Sequence, residues 1–394
     1  MERAQHRSPS PQPPVRPLFP FIDALRGVAA VVILVHHLFT YVPRADAKLA
    51  AVPLVHELVW WYFGLASQVF LVISGFVGGV SLARAPPTAS GLPRLLVLRY
   101  LRLAVPAVAT LLVACALDGV MPPSWAAFPL FDHVSPAGVL AHLLFLQDVL
   151  GYPSLLAGFW YLSIDWQCHA LLGLLVVVEQ AIRRRLPGLS PAARSTVAGG
   201  LPLAVAVVSV CLWNGDPAHE PYATYFFGIM FLGTLAGRAV VGRLPPACFW
   251  LFVAVSAAAA ALWRRPQPAV AIVAAVAIYL VARRQPPATA REDSLPGRLG
   301  RISYALFLVH YPLIWAVTSL GRGLGGEAAV TSWPCLVAAV AASFAGAVLL
   351  HRLVEIPTLA LVDRFKPAPR PVATSGGCTA GRGRVEYGST ARGR

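Results

Sequence analysis

The sequence predicts an all-α, polytopic transmembrane bundle of about ten helices, with both termini cytoplasmic. Three observations carry that prediction. The 394-residue chain is 57% hydrophobic and 12% charged, about half the charge of an ordinary soluble domain. Its apolar residues gather in runs close to the ~20 residues that a bilayer crossing needs. Its basic residues fall between alternate runs, as the positive-inside rule requires.

In order, residues 1–20 form a basic, proline-rich leader, expected to be disordered. Phe21 onward is too long for a signal-peptide core and reads as an uncleaved first span. Spans are expected at 21–41, 59–82, 97–117, 159–182, 197–213, 222–241, 247–263, 268–282, 302–320 and 333–352. They make residues 21–364 one transmembrane domain, and residues 365–394 a disordered basic tail. Only Arg44, Lys48, Arg264, Arg265 and Arg322 fall in outer loops. Most of the +15 net charge is therefore topology signal, which removes the reason to invoke nucleic acid. The loop 118–158 contains Asp118, Asp132, His133, His142 and Asp148, and its part 138–149 is apolar enough to re-enter or lie on the membrane. The six cysteines have no CxxC spacing, so neither a zinc site nor a disulfide framework is expected.

The first span is the informative one. It carries Asp23, Arg26, His36 and His37, and a charge at bilayer depth costs at least ~2.5–3.5 kcal/mol, so such groups face a cavity or a substrate path. At about 100° per residue, Arg26 and His37 return to within roughly 20° of one another, about 16 Å apart along the axis, while His36 falls about 80° away. Asp23 is placed to pair with Arg26.

Other spans add polar groups. Ser74 in the second span suits helix packing. Arg99 and Arg102 open the third, fitting either interfacial anchoring or an anion site, since guanidinium forks match phosphate. Asp165 and His169 share a face of the fourth, whose leading aromatics Phe159-Trp160-Tyr161 suit an interfacial belt. Ser303 and His310 share a face of the ninth, with Tyr304 on another. Glu355, after the tenth, is placed to pair with Arg352. Arg26, His37, Asp165 and His310 stand out as groups whose cost implies function.

These residues resemble the membrane-integral acyltransferase 3 family of O-acyltransferases, from about Phe21 to Glu355. Asp23-Ala24-Leu25-Arg26-Gly27 running to His37 is similar to its D-x-L-R-[AG] opening with R-x10-H. Ser74-Gly75-Phe76 resembles its SGF segment, and Arg99-x-x-Arg102 its R-x-x-R. Trp160-x-Leu162-Ser163-Ile164-Asp165 resembles W-x-L-x-x-E, with Asp165 where Glu is usual and His169 where an aromatic is usual. Leu299-Gly300-Arg301-Ile302-Ser303-Tyr304 followed by His310 resembles L-G-x-x-S-Y…H, and Glu355-x-Pro357 the closing E-x-P.

The resemblance implies transfer of an acyl group, acetyl in the simplest case, from cytoplasmic acyl-CoA to a hydroxyl of a sugar or glycosylated acceptor. No bound cofactor is expected; acyl-CoA is a co-substrate. Cell-envelope polysaccharide, exported oligosaccharide and a macrolide-type metabolite are all compatible acceptors. His37 would act as general base, a role that suits histidine at neutral pH, or as an acyl-carrying nucleophile. Asp165 or His310 would orient base or acceptor. Arg99 and Arg102 would receive the donor, with Asp23 and Arg26 at its mouth and Ser74, Ser303, Tyr304 and Glu355 in supporting binding positions. The expected location is the cell membrane, as a multi-pass protein. The rival reading is a proton-coupled transporter using the same buried groups; its hallmark of Gly/Pro-broken helices in matching halves is not evident.

Overall fold

The computed structural model describes residues 20–131, 134–185, 188, 199–284 and 294–365. The leader through Phe19, Asp132, His133 and the tail from Lys366 lie outside the described residues. Every element among the described residues is helical.

The helices are α1 (Pro20–Tyr41), α2 (Pro53–Glu57), α3 (Ala66–Arg84), α4 (Leu92–Val120), α5 (Pro136–Leu143), α6 (Phe159–Arg185) and α7 (Gly200–Cys211). After them come α8 (Ala223–Val240), α9 (Pro246–Trp263), α10 (Pro266–Ala282), α11 (Leu295–Val330), α12 (Trp333–Leu350) and α13 (Ile356–Arg364). Eight helical segments are long and apolar enough to cross a membrane; α7 and α10 are apolar but shorter. The expected spans thus correspond to ten helices. The ends reach further than the apolar runs where caps extend them. α11 starts at Leu295 because the Ser294 hydroxyl accepts from the Gly297 N–H and Pro296 needs no donor partner. The apolar part of the long outer loop forms only the eight-residue α5, too short to span.

α8 and α11 form the interior, with 83% and 72% of their apolar windows buried, whereas α9 and the α12–α13 rod are only 28% buried. The main packed pairs are α3 with α8, α1 with α11, and α11 with α12. Small residues decide the first pair. Gly75 and Gly79 of α3 lie under the Met230 and Thr234 carbonyls, and Gly233 and Gly237 of α8 lie under those of Val72 and Phe76. A Cβ at any of the four would run into a backbone oxygen. In lipid, where apolar burial does not drive helices together, such close approach supplies the packing. α1 and α11 cross in the same manner, Gly27 against Leu299 and Gly300 against the Asp23 carbonyl. The glycine of each sequence motif is therefore a contact point between helices.

Candidate active site

Three helices bring one polar cluster together. Arg99 of α4 donates through Nη2 to Asp165 Oδ2 of α6 at 2.6 Å and to Ser74 Oγ of α3 at 2.7 Å. The Ser74 hydroxyl in turn donates to Asp165 Oδ1. Asp165 keeps only 3% side-chain exposure, so its charge is balanced by Arg99 rather than by water. The i,i+4 pair of Asp165 with His169 also forms, at 3.8 Å, and His169 Nδ1 donates to the Asp165 backbone carbonyl at 2.9 Å. Among the described residues no hydrogen bond joins Asp165 to His37 or His310, so the carboxylate acts on the arginine.

A cavity of about 160 Å³ opens beside this cluster. Its polar lining is Asp23, Arg26, Ser74, Arg99, Arg102 and Asp165. The expected Asp23–Arg26 pair forms at 3.7 Å. No hydrogen bond or ion pair among the described residues holds the Arg102 guanidinium, and the buried Arg99 Nε is also without a partner. Two guanidinium donors thus remain for an anion. Tyr304 lines the cavity as well, its hydroxyl donating to the Leu103 carbonyl at 2.7 Å and tying α11 to α4. Ser303 does not line it; its hydroxyl returns to the Gly300 carbonyl within α11 at 2.8 Å. Glu355 does not line it either. The expected partner was Arg352, but its carboxylate bonds His351 Nδ1 at 2.7 Å. The backbone between them is a π-turn over His351–Glu355, which turns the i,i+4 imidazole, not the i,i+3 guanidinium, towards the buried acid.

The cavity ends at three aromatic rings that sequence reasoning missed. Phe70, Tyr161 and Phe307 meet with centroid separations of 5.4–5.9 Å. Tyr161 belongs to a stretch read as an interfacial belt, yet it is buried. Nothing but apolar character marks Phe70 and Phe307 in the sequence.

Beyond Phe307, whose ring lies 6.3 Å from that of His310, sits the histidine pair. His37 Nδ1 and His310 Nε2 are 2.7 Å apart, with the rings stacked at 4.9 Å and 16°. The tautomers follow from the bonds. His310 Nδ1 lies 2.9 Å from the Leu306 carbonyl, which can only accept, so that nitrogen carries the hydrogen. In the neutral ring, Nε2 of His310 is then the acceptor. His37 must donate from Nδ1, which leaves a lone pair on its Nε2. That nitrogen has no hydrogen-bond partner among the described residues. The other candidate, His36, bonds the Val59 carbonyl at 2.8 Å, a packing role consistent with its angular offset.

Apolar spanning helices around a guanidinium–carboxylate cluster and an imidazole pair define a multi-pass membrane protein with an internal polar site. A family model described as an acyltransferase domain matches residues 19–352. The chain therefore belongs to the acyltransferase 3 family and carries a membrane acyltransferase domain. No curated protein and no solved structure matches it.

Proposed function

We propose that the protein transfers an acyl group, acetyl in the simplest case, from cytoplasmic acyl-CoA to a hydroxyl of a sugar or glycosylated acceptor. The observation that carries this reading is the hydrogen bond that His37 Nδ1 donates to His310 Nε2, which leaves His37 Nε2 as a free base. The donor's phosphates meet Arg102, Arg99 and Arg26 at the cavity, guanidinium being the cation that matches phosphate geometry. His37 Nε2 takes the proton of the acceptor hydroxyl as its oxygen attacks the thioester carbonyl. The carbon–sulfur bond breaks, and CoA leaves as a thiolate that takes the proton from His37 Nε2, restoring the base. His310 accepts from His37 Nδ1 throughout and favours the imidazolium that forms. The Phe70–Tyr161–Phe307 wall has to part for the thioester to reach the imidazole.

The test is transfer of radiolabelled acetyl from acetyl-CoA by the full chain in nanodiscs, with extracted cell glycans as acceptors. Labelled glycan is expected from the wild type and about 10²–10⁴-fold less from His37→Ala. Full activity in His37→Ala removes the base assignment. Uptake of substrate into vesicles without any acyl donor would replace the reading with transport.

A further inference from the structure

A second cavity, of about 590 Å³, lies at the other end of the bundle. Gln68 in the first turn of α3, Trp160 in that of α6, Tyr225 in that of α8 and Gln267 in that of α10 all border it. These helices enter from the end opposite to the one where α1 begins, and the first turn of α1 carries Asp23 of the donor cavity. The loop before α6 adds Asp148 and Tyr152, and the turn before α8 adds Glu220.

Its chemistry differs from that of the first cavity. Among the described residues, no Lys, Arg or His borders it, so its lining offers an anion no positive side chain. The walls are aromatic, with Tyr152, Trp160 and Tyr225. Hydrogen-bonding capacity is left over around them. Gln68, only 3% exposed, has a buried Oε1 with no partner, and Gln267 Oε1 is unpaired as well. Asp148 accepts from the Ser163 hydroxyl on Oδ2 at 2.6 Å, and Glu220 accepts from the Tyr225 hydroxyl on Oε1 at 3.2 Å; a carboxylate has lone pairs for further hydroxyls. A buried amide oxygen without a donor is costly, and a ligand's hydroxyl would relieve that cost. Aromatic faces with spare acceptors and no cations suit a neutral polyhydroxylated ring. The volume falls within the ~300–1,000 Å³ of small-molecule sites.

The two cavities are back to back. Trp160 borders this one and its chain neighbour Tyr161 the other, with ring centroids 6.2 Å apart. We propose that this second cavity is a carbohydrate-binding site that holds the acceptor, its acceptor role resting on the acyl-transfer reading above. A sugar ring stacks on Trp160 while Gln68, Gln267, Asp148 and Glu220 take its hydroxyl hydrogens.

The test uses the fluorescently labelled full chain in lipid nanodiscs on a printed array of neutral glycans. Binding by the wild type is expected to at least one glycan class. It should weaken at least tenfold in Trp160→Ala and in Gln267→Ala, and stay unchanged in Leu349→Ala on the exposed face of α12. Gln267→Ala removes an oxygen that bonds nothing, so its loss of binding does not arise from misfolding. No bound glycan, or binding that both cavity variants retain, overturns the proposal. Thiol release from acetyl-CoA by the wild type in the same discs is read separately. Its absence alongside cavity-dependent glycan binding overturns acyl transfer and supports the carbohydrate site.

Discussion

Arg99 and Asp165 meet at 2.6 Å from two different helices, and Ser74 from a third closes the triangle. Removing one member strands a charge. Asp165→Ala should therefore destabilise the folded protein by about 3–5 kcal/mol, read as thermal unfolding in detergent. The double variant Arg99→Met/Asp165→Leu should regain much of that stability while staying inactive. Equal stability in Asp165→Ala and wild type would show that the pair is not a structural charge balance.

The histidine relay separates two residues that look alike in sequence. His37→Ala should remove about 10²–10⁴-fold of the transfer rate, the usual worth of a general base. His310→Ala removes the acceptor that fixes the His37 tautomer and should cost a smaller part of that range, with unchanged KM for acetyl-CoA. Both should reach the membrane at wild-type abundance. An inert His310→Ala would mean that the 2.7 Å bond does not act on the base.

Phe307 stands between the arginine-lined cavity and His310. Phe307→Leu keeps an apolar side chain but opens the wall. Hydrolysis of acetyl-CoA should rise relative to transfer, because water gains the path that the ring blocks. The ratio of free acetate to acetylated glycan measures it. An unchanged ratio would place the barrier elsewhere.

His142, outside the spanning helices, ties α5 to the loop before α6. Its Nδ1 lies 2.7 Å from the Gly138 carbonyl, and its Nε2 accepts from the Leu155 N–H at 3.0 Å. The second bond needs the neutral ring, since only an unprotonated Nε2 can accept, and burial holds its pKa below the ordinary histidine value. The unfolded histidine takes its proton near pH ~6.5, so the folded state binds fewer protons just below that. This contribution is fully present above the unfolded pKa and is lost as pH falls through the folded one. Hydrogen exchange in residues 144–158, corrected for intrinsic rates, should accelerate between pH 7.5 and 5. The step should be absent in His142→Gln.

Much of this was legible in the sequence because the membrane allows few solutions. The all-helical, multi-span architecture follows from the apolar runs, and the angular offset on the first helix separates His37 from His36. Partners were harder to read. Asp165 meets Arg99 from 66 positions further along the chain, a pairing that no local spacing encodes, and Glu355 takes His351 only because the backbone forms a π-turn there. The aromatic wall left no trace, since Phe70 and Phe307 resemble any lipid-facing residue until their neighbours are known. The acidic, aromatic cavity was equally hidden, because its residues come from five separate stretches.

The interleaved glycines of α3 and α8 have a mechanical consequence. Backbones that touch along two turns cannot slide or separate without leaving a void that lipid is too large to fill. Ser74 and Phe70 are mounted on that fixed beam. Any breathing that opens the arginine-lined cavity must then come from the opposite side, where α4 is held to α11 by Tyr304 and to α6 by Arg99. Product release would be paced by those two polar latches rather than by the glycine seam.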